Sequence, residues 1–160
     1  MTASELRLPK PFDLRGRVAL VTGGSGLLGG QHARALAEIG ASVVIADIDV
    51  EGAESEASKV RAEHPQAKAV GLKLDVTNPQ SVAAALDSVL GEFGGIHVLV
   101  NNAAVDPKMT QSGLVDTSRL ENFPLEQWQF QIGVGLTGAF LCSRAFGGWM
   151  AGHGGGTILN

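Results

Sequence analysis

The chain has 160 residues, 44% of them hydrophobic and 18% charged, with a formal net charge of -4 at pH 7. That is enough chain, of ordinary globular composition, for one domain with a sizeable core, and an acidic balance argues against nucleic-acid or anionic-membrane partners. A single cysteine, Cys142, excludes an internal disulfide framework and a multi-cysteine zinc site. No apolar run approaches the roughly 18 residues of a spanning helix, so a soluble, cytoplasmic protein is expected.

Residues 1–16 read as an irregular arm, because Pro9 and Pro11 disfavour helix; residues 17–160 read as one domain. Arg17–Thr22 is apolar on both faces, as a central parallel strand should be. A helix from Leu27 to Ile39 follows, with Leu28, Ala35, Leu36 and Ile39 predicted on its inward face beside His32, and Gly40 ends it. The second strand, Ser42–Ala46, runs into Asp47 and Asp49, where Asp49 can cap the next helix and Asp47 can close the turn before it. That helix, about 50–62, is only weakly amphipathic and should lie on the surface.

Ala67–Leu74 forms the third strand and closes on Asp75 and Val76. Asn78 then caps a helix with Pro79 at its first position, and Val82, Leu86, Val89, Leu90 and Phe93 make its apolar stripe before Gly94 and Gly95 break it. Ile96–Val100 is the fourth strand, ending in Asn101, Asn102, Ala103 and Ala104. The polar stretch Val105–Phe123 is long for a structureless connection, which marks it as functional or mobile. Pro124 opens a long helix to about Met150; Gly133, Gly135 and Gly138 cost it propensity, which predicts close backbone packing there. Gly154–Gly156 breaks this helix, and Thr157–Asn160 begins a fifth strand.

Strands alternating with helices imply right-handed crossovers and a parallel sheet. The predicted class is α/β, a Rossmann-type doubly wound sheet in the order 3-2-1-4-5, with its fifth strand at an open edge. Within that frame the stretch Val18–Gly29 is a strand, a glycine turn and a helix N-terminus, a combination that binds phosphate. Gly23 permits the tight turn, and Gly26 and Gly29 allow close approach. Asp47 follows Gly23 by 24 residues, near the roughly 20 at which an acid takes the adenosine ribose hydroxyls of a dinucleotide. A carboxylate there favours NAD over NADP, because it accepts from a 2′-hydroxyl and repels a 2′-phosphate. No Lys or Arg stands immediately after Asp47, and Ser25 holds a turn position where a basic residue would suit NADP.

The remaining reactive side chains read as structural. His64 and His153 sit beside turns, His97 lies in a predicted strand, and no pair stands at metal-ligand spacing, so no metal site is predicted. Cys142 reads as a small core hydrophobe, and Trp128 and Trp149 as packing or subunit-contact residues.

The run Thr22–Gly29, then Asp47, Asp75-Val76, Asn101–Ala104 and Gly135–Phe140, in that order and spacing, resembles the short-chain dehydrogenase/reductases, in their classical form, from about Phe12 onward. The resemblance implies an NAD site built from Gly23, Ser25, Gly26, Leu28, Gly29 and Asp47. It places Asp75 and Val76 at the adenine, and Asn102, Ala103 and Ala104 along the ribose side, with Asn101 holding the fourth strand. Three departures stand out. Leu27 occupies a family glycine position and Gly26 supplies the glycine instead, a spacing similar to the extended branch that modifies nucleotide sugars. Ala104 replaces a glycine, and Gly135 stands where the family often carries a catalytic asparagine.

The family's serine, tyrosine and lysine lie on and after the fifth strand, and this chain has no tyrosine. The expectation is therefore the N-terminal part of an enzyme moving hydride between nicotinamide and a secondary alcohol or ketone, inactive as these 160 residues alone. By resemblance the complete enzyme is a homodimer or homotetramer. The rival expectations are a nucleotide-binding module without catalysis and part of an extended-type epimerase or dehydratase.

Overall fold

The computed structural model describes residues 12–105 and 119–160. Most of the arm expected at 1–16 and most of the loop expected at 105–123 lie outside them. Five strands, β1 (Val18–Thr22), β2 (Ser42–Asp47), β3 (Ala69–Lys73), β4 (Val98–Val100) and β5 (Thr157–Leu159), form one sheet in the order β3-β2-β1-β4-β5. Every pairing is parallel, with Leu20 opposite both Val44 and Leu99. The predicted strand order is the observed one. Among the described residues no helix is long and apolar enough to cross a membrane.

Strand side chains alternate between the two faces, and here both faces are covered. On one side Leu20, Val44 and Leu99 pack with Val82 and Val89 of α3 (Pro79–Phe93), and with Phe146 and Met150 of the long helical run after Pro124. On the other side Ala19, Val21, Val43 and Ile45 meet α1 (Leu27–Glu38) and α2 (Val50–Glu63) through alanines 33, 37, 53 and 57 and through Val60. Small residues let these two helices lie close to the sheet. The termini of α3 follow the sequence closely: the Asn78 side chain accepts from the amides of Gln80 and Ser81, Pro79 follows it, and Gly94 takes a left-handed φ of 73° at the C-cap.

Two expectations are corrected. The inward face of α1 is Gly29, Gly30, Ala33 and Ala37, whereas Leu28 is 65% exposed, and His32 and Ala35 are also exposed. The cause is steric. A Cβ at Gly29 would collide with the Gly23 carbonyl and stand 2.7 Å from Gly24 Cα, so this glycine must face the turn. That fixes the helix rotation one residue away from the leucine-based face, about 100°. Leu36 and Ile39 are partly buried at the margin, where they line an apolar groove with His32, Ala35, Val98, Val100 and Leu159.

The second correction concerns the long helix, α4, which runs from Leu125 to Gly152. Its α-turns Leu125–Ile132, Ala139–Cys142 and Gly148–Gly152 are separated by wider π-turns at Gly133–Gly138 and Ser143–Gly147. Of the three glycines, only Gly138 packs closely; a Cβ there would lie 2.7 Å from Val76 Cγ2. At Gly133 and Gly135 a Cβ would meet open space. These two belong to the first π-turn, a feature that inserts into helices frequently at functional sites.

His97 lies just before β4, where the predicted strand began earlier. Its amide donates to the Val18 carbonyl at 2.9 Å, and its Nδ1 accepts the Val18 amide at 3.0 Å. An accepting Nδ1 requires the neutral ring. Burial, and then the neighbouring Arg17 charge, lower the pKa of His97 below its ordinary value of 6.5. The unfolded chain therefore takes up this proton first as pH falls. Stability from His97 is complete above about pH 6.5 and is lost on acidification toward the lower folded value. His97→Leu leaves the buried Val18 amide unpaired and should cost about 1–3 kcal/mol at pH 7.5. Urea titrations at pH 7.5 and 5.5 should also show a smaller loss on acidification for His97→Leu than for the parent chain.

Candidate dinucleotide site

The C-terminal edge of a parallel sheet is where crossover connections leave the strands and open a crevice. Here β1 ends in a turn of four residues that closes by the Gly26 amide donating to the Gly23 carbonyl at 3.2 Å. Gly23 has a φ of +62°, and a Cβ on it would stand 2.8 Å from Ala103 Cα. Both conformation and space demand glycine there. Gly24 is pressed against β2, where its amide donates to the Ala46 carbonyl at 3.1 Å and a Cβ would lie 2.5 Å from Ile45 Cγ2. Gly26 is less constrained, its Cβ meeting only the Gly23 carbonyl, at a tight 3.3 Å.

Gly26 is also the N-cap of α1, with no side-chain cap and no acidic residue in the first turn. No side chain caps the leading amides of α1 and its own first turn carries no acid, so the carboxylate near this positive helix end is that of Asp47, held on Ser25. Leu27 and Leu28 project at 85% and 65% exposure, so neither is spent on the core. This is an uncapped helix start behind a glycine turn, and it suits an anion.

Asp47 closes one side. Its Oδ2 accepts both the Ser25 amide, at 3.0 Å, and the Ser25 hydroxyl, at 2.7 Å. Its Oδ1 accepts the Asp49 amide at 3.0 Å, while the Asp49 side chain caps α2 by accepting from Gly52 at 3.0 Å. Asp47 therefore does close the turn before α2, and it also ties that turn to the glycine loop. The Leu74 amide donates to the Asp47 carbonyl at 2.8 Å, which brings the end of β3 alongside. There Asp75 Oδ1 accepts the Thr77 amide at 2.9 Å and the Thr77 hydroxyl at 2.7 Å. Val76 is buried against Gly138, so its side chain belongs to the core.

The opposite side is held by the end of β4. Asn102 Nδ2 donates to the carbonyls of Thr22, at 2.9 Å, and Gly23, at 3.1 Å. The amides of Asn102 and Ala103 both donate to Thr22 Oγ1 at 3.0 Å. Ala104 is exposed at the rim. Asn101 Nδ2 reaches Ser143 Oγ at 3.0 Å and Asn160 Oδ1 at 2.8 Å, joining β4 to α4 and the end of β5, while among the described residues its buried Oδ1 has no partner.

Hydrogen bonds thus join Ser25 to Asp47 on one side, and Asn102 to Gly23 and Ala103 to Thr22 on the other; the glycine turn connects the two sets along the chain, and Asp75 joins through the strand ends. Thr22 was missed as a site residue. It is the one buried polar residue of the described core at 1% exposure, and the available signal was a hydroxyl closing an otherwise apolar strand. Among the described residues no group of three or more His, Cys, Asp and Glu could hold a metal. Cys142 is fully buried, and burial pushes its thiol up to about 12, so it carries no nucleophilic thiolate at neutral pH.

Comparison with known proteins agrees with this architecture. The family model described as short chain dehydrogenase matches residues 17–160. The chain is 41% identical over 147 residues to 3-alpha-(or 20-beta)-hydroxysteroid dehydrogenase of Mycobacterium tuberculosis, covering 92% of this chain and 51% of that protein. It is 36% identical over 158 residues to D-threitol dehydrogenase of Mycolicibacterium smegmatis, covering 99% of this chain and 56% of that protein. Among solved structures, a protein assigned as a short-chain alcohol dehydrogenase from Sinorhizobium meliloti superposes with a TM-score of 0.78 at 34% identity, over 92% of this chain and 54% of that one. The chain spans about half the length of the curated relatives it matches. It belongs to the short-chain dehydrogenase family.

Proposed function

We propose that these residues hold the cofactor of an NAD-dependent dehydrogenase that moves hydride between nicotinamide and a secondary alcohol or ketone. The observation that carries the reading is Asp47, whose carboxylate stands at the end of β2, tied by two hydrogen bonds to the glycine turn. The residues fit such a cofactor, because α1 starts uncapped and the turn passes Gly29 where a Cβ could not stand. When bound, the nicotinamide supplies the hydride donor or acceptor.

The chain's own part is binding and orientation. The turn from Gly23 to Gly29, with Leu28 at its rim, receives the pyrophosphate. Asp47 accepts from a ribose hydroxyl and opposes a 2′-phosphate, so NAD is favoured over NADP. Asp75 and Val76 border the adenine, and Asn102, Ala103 and Ala104 the ribose side. No proton transfer is assigned to this chain, since it has no tyrosine and Gly135 offers no side chain. These residues alone should bind NAD without turning over an alcohol.

The names of the relatives, a hydroxysteroid and a polyol dehydrogenase, support an alcohol or ketone substrate over a nucleotide sugar. A second copy of the chain is the proposed partner, because α4 exposes Leu125, Trp128, Leu136 and Phe140, each more than half accessible, along one helix. The proposed setting is the cytoplasm.

Two binding experiments test the reading. By titration calorimetry, Asp47→Ala should weaken NAD binding about 10- to 100-fold, the range of a lost charge-assisted hydrogen bond, and leave NADP binding unchanged or tighter. Equal loss for both cofactors would contradict the ribose assignment. Gly29→Ala should weaken both cofactors by at least about tenfold, because its Cβ displaces the turn that carries the leading amides. Unchanged affinity in that variant would place the pyrophosphate elsewhere.

A further inference from the structure

Asp47 is a carboxylate with about four acceptor sites, and three are already used inside the protein. Two donors from Ser25 occupy Oδ2, and the Asp49 amide occupies one site on Oδ1. The capacity to accept a further donor is therefore on Oδ1. The Ser25 hydroxyl, at 2.7 Å from Oδ2, has committed its only proton to Asp47. What remains on that hydroxyl is acceptor capacity alone.

The close approach is itself built into the sequence. A Cβ at Gly52 would stand 3.0 Å from Ser25 Cβ and 2.5 Å from Asp49 Oδ2, so the start of α2 reaches Ser25 only because residue 52 is glycine. Ser25 is half-buried in this contact.

We infer that Ser25 is a positioning residue for cofactor choice. It fixes the Asp47 carboxylate so that Oδ1 is the oxygen left for a ribose hydroxyl, and its own hydroxyl has no proton to give a 2′-phosphate. A vicinal diol brings donors to this acceptor-only surface, whereas a phosphate brings acceptors and negative charge. Ser25 thus acts through Asp47, and the inference rests on the proposed NAD site.

The test is the affinity of the full chain for NAD and for NADP, by calorimetry, in the parent and in Ser25→Ala, Ser25→Thr, Asp47→Ala and the Ser25→Ala/Asp47→Ala pair. Ser25→Ala should weaken NAD binding about 5- to 10-fold and leave NADP unchanged or tighter, because the amide bond to Asp47 survives while the hydroxyl bond is lost. Ser25→Thr, which keeps a hydroxyl, should restore most of the preference. In the Asp47→Ala background Ser25→Ala should have no further effect on NAD, the non-additivity expected of a residue that works through its neighbour. Parent-like affinities in Ser25→Ala, an equal loss for both cofactors, a threonine variant no better than alanine, or the same extra loss without Asp47 would each overturn the inference. An Asp47→Ala variant with an unchanged NAD-to-NADP ratio would instead overturn the NAD reading itself, whatever Ser25→Ala does.

Discussion

The passage of backbone against backbone at Gly29 is the constraint from which the rest of the site follows. With no side chain there, the first turn of α1 can lie against the Gly23 carbonyl and Gly24. That contact sets the rotation of α1 about its axis, and the rotation decides that Ala33 and Ala37 face the sheet and Gly30 faces Glu56 of α2, while Leu27 and Leu28 stand outside. It also aims the uncapped amides of the helix into the crevice beyond the strand ends. One steric fact therefore couples the packing of the α1 layer to the chemistry of the binding edge.

A second layer of order comes from polar side chains that hydrogen-bond within the protein at the strand ends. Thr22 Oγ1 accepts two amides from the β4 end and donates to the Val100 carbonyl at 3.3 Å. Asn102 spends its side-chain amide on the carbonyls of the β1 turn. Each such bond contributes only about 1 kcal/mol, but an unpaired buried amide at this edge would cost more. The network is thus specific rather than strong. It holds β1 and β4 at a common edge, so that the glycine turn presents one surface instead of two independent loops.

Strand order, helix positions and the α3 caps were legible because each rests on local chemistry: apolar runs, an Asn-Pro start, a glycine stop. The glycine turn and Asp47 were legible because spacing between a strand end and an acid survives any detail of packing. The face of α1 was not. Periodicity favoured the large side chains Leu28 and Leu36, but a helix that must pass a backbone turn turns its smallest residues inward, and that requirement belongs to Gly23 and Gly24 rather than to α1. The glycines of α4 failed for the converse reason. Low propensity alone cannot separate Gly138, pressed on Val76, from Gly135, which faces open space inside a π-turn. The wiring of Ser25 and Thr22 was equally hidden, since hydroxyl partners lie far away in the sequence.

Asp47 also explains why cofactor choice and loop structure are not separable properties here. The carboxylate proposed to read the ribose accepts the amides of Ser25 and Asp49, one from each flanking turn. Removing it strips a partner from both, at about 1–3 kcal/mol for each donor that water cannot reach, and it frees the Ser25 hydroxyl to turn elsewhere. A basic residue introduced nearby to welcome a 2′-phosphate would face the same carboxylate and pair with it before it met a ligand. Reversal of specificity therefore demands a coordinated change at residues 25 and 47 together, while water can take over the exposed Asp49 amide. The geometry that selects the cofactor is the geometry that keeps the two turns in register.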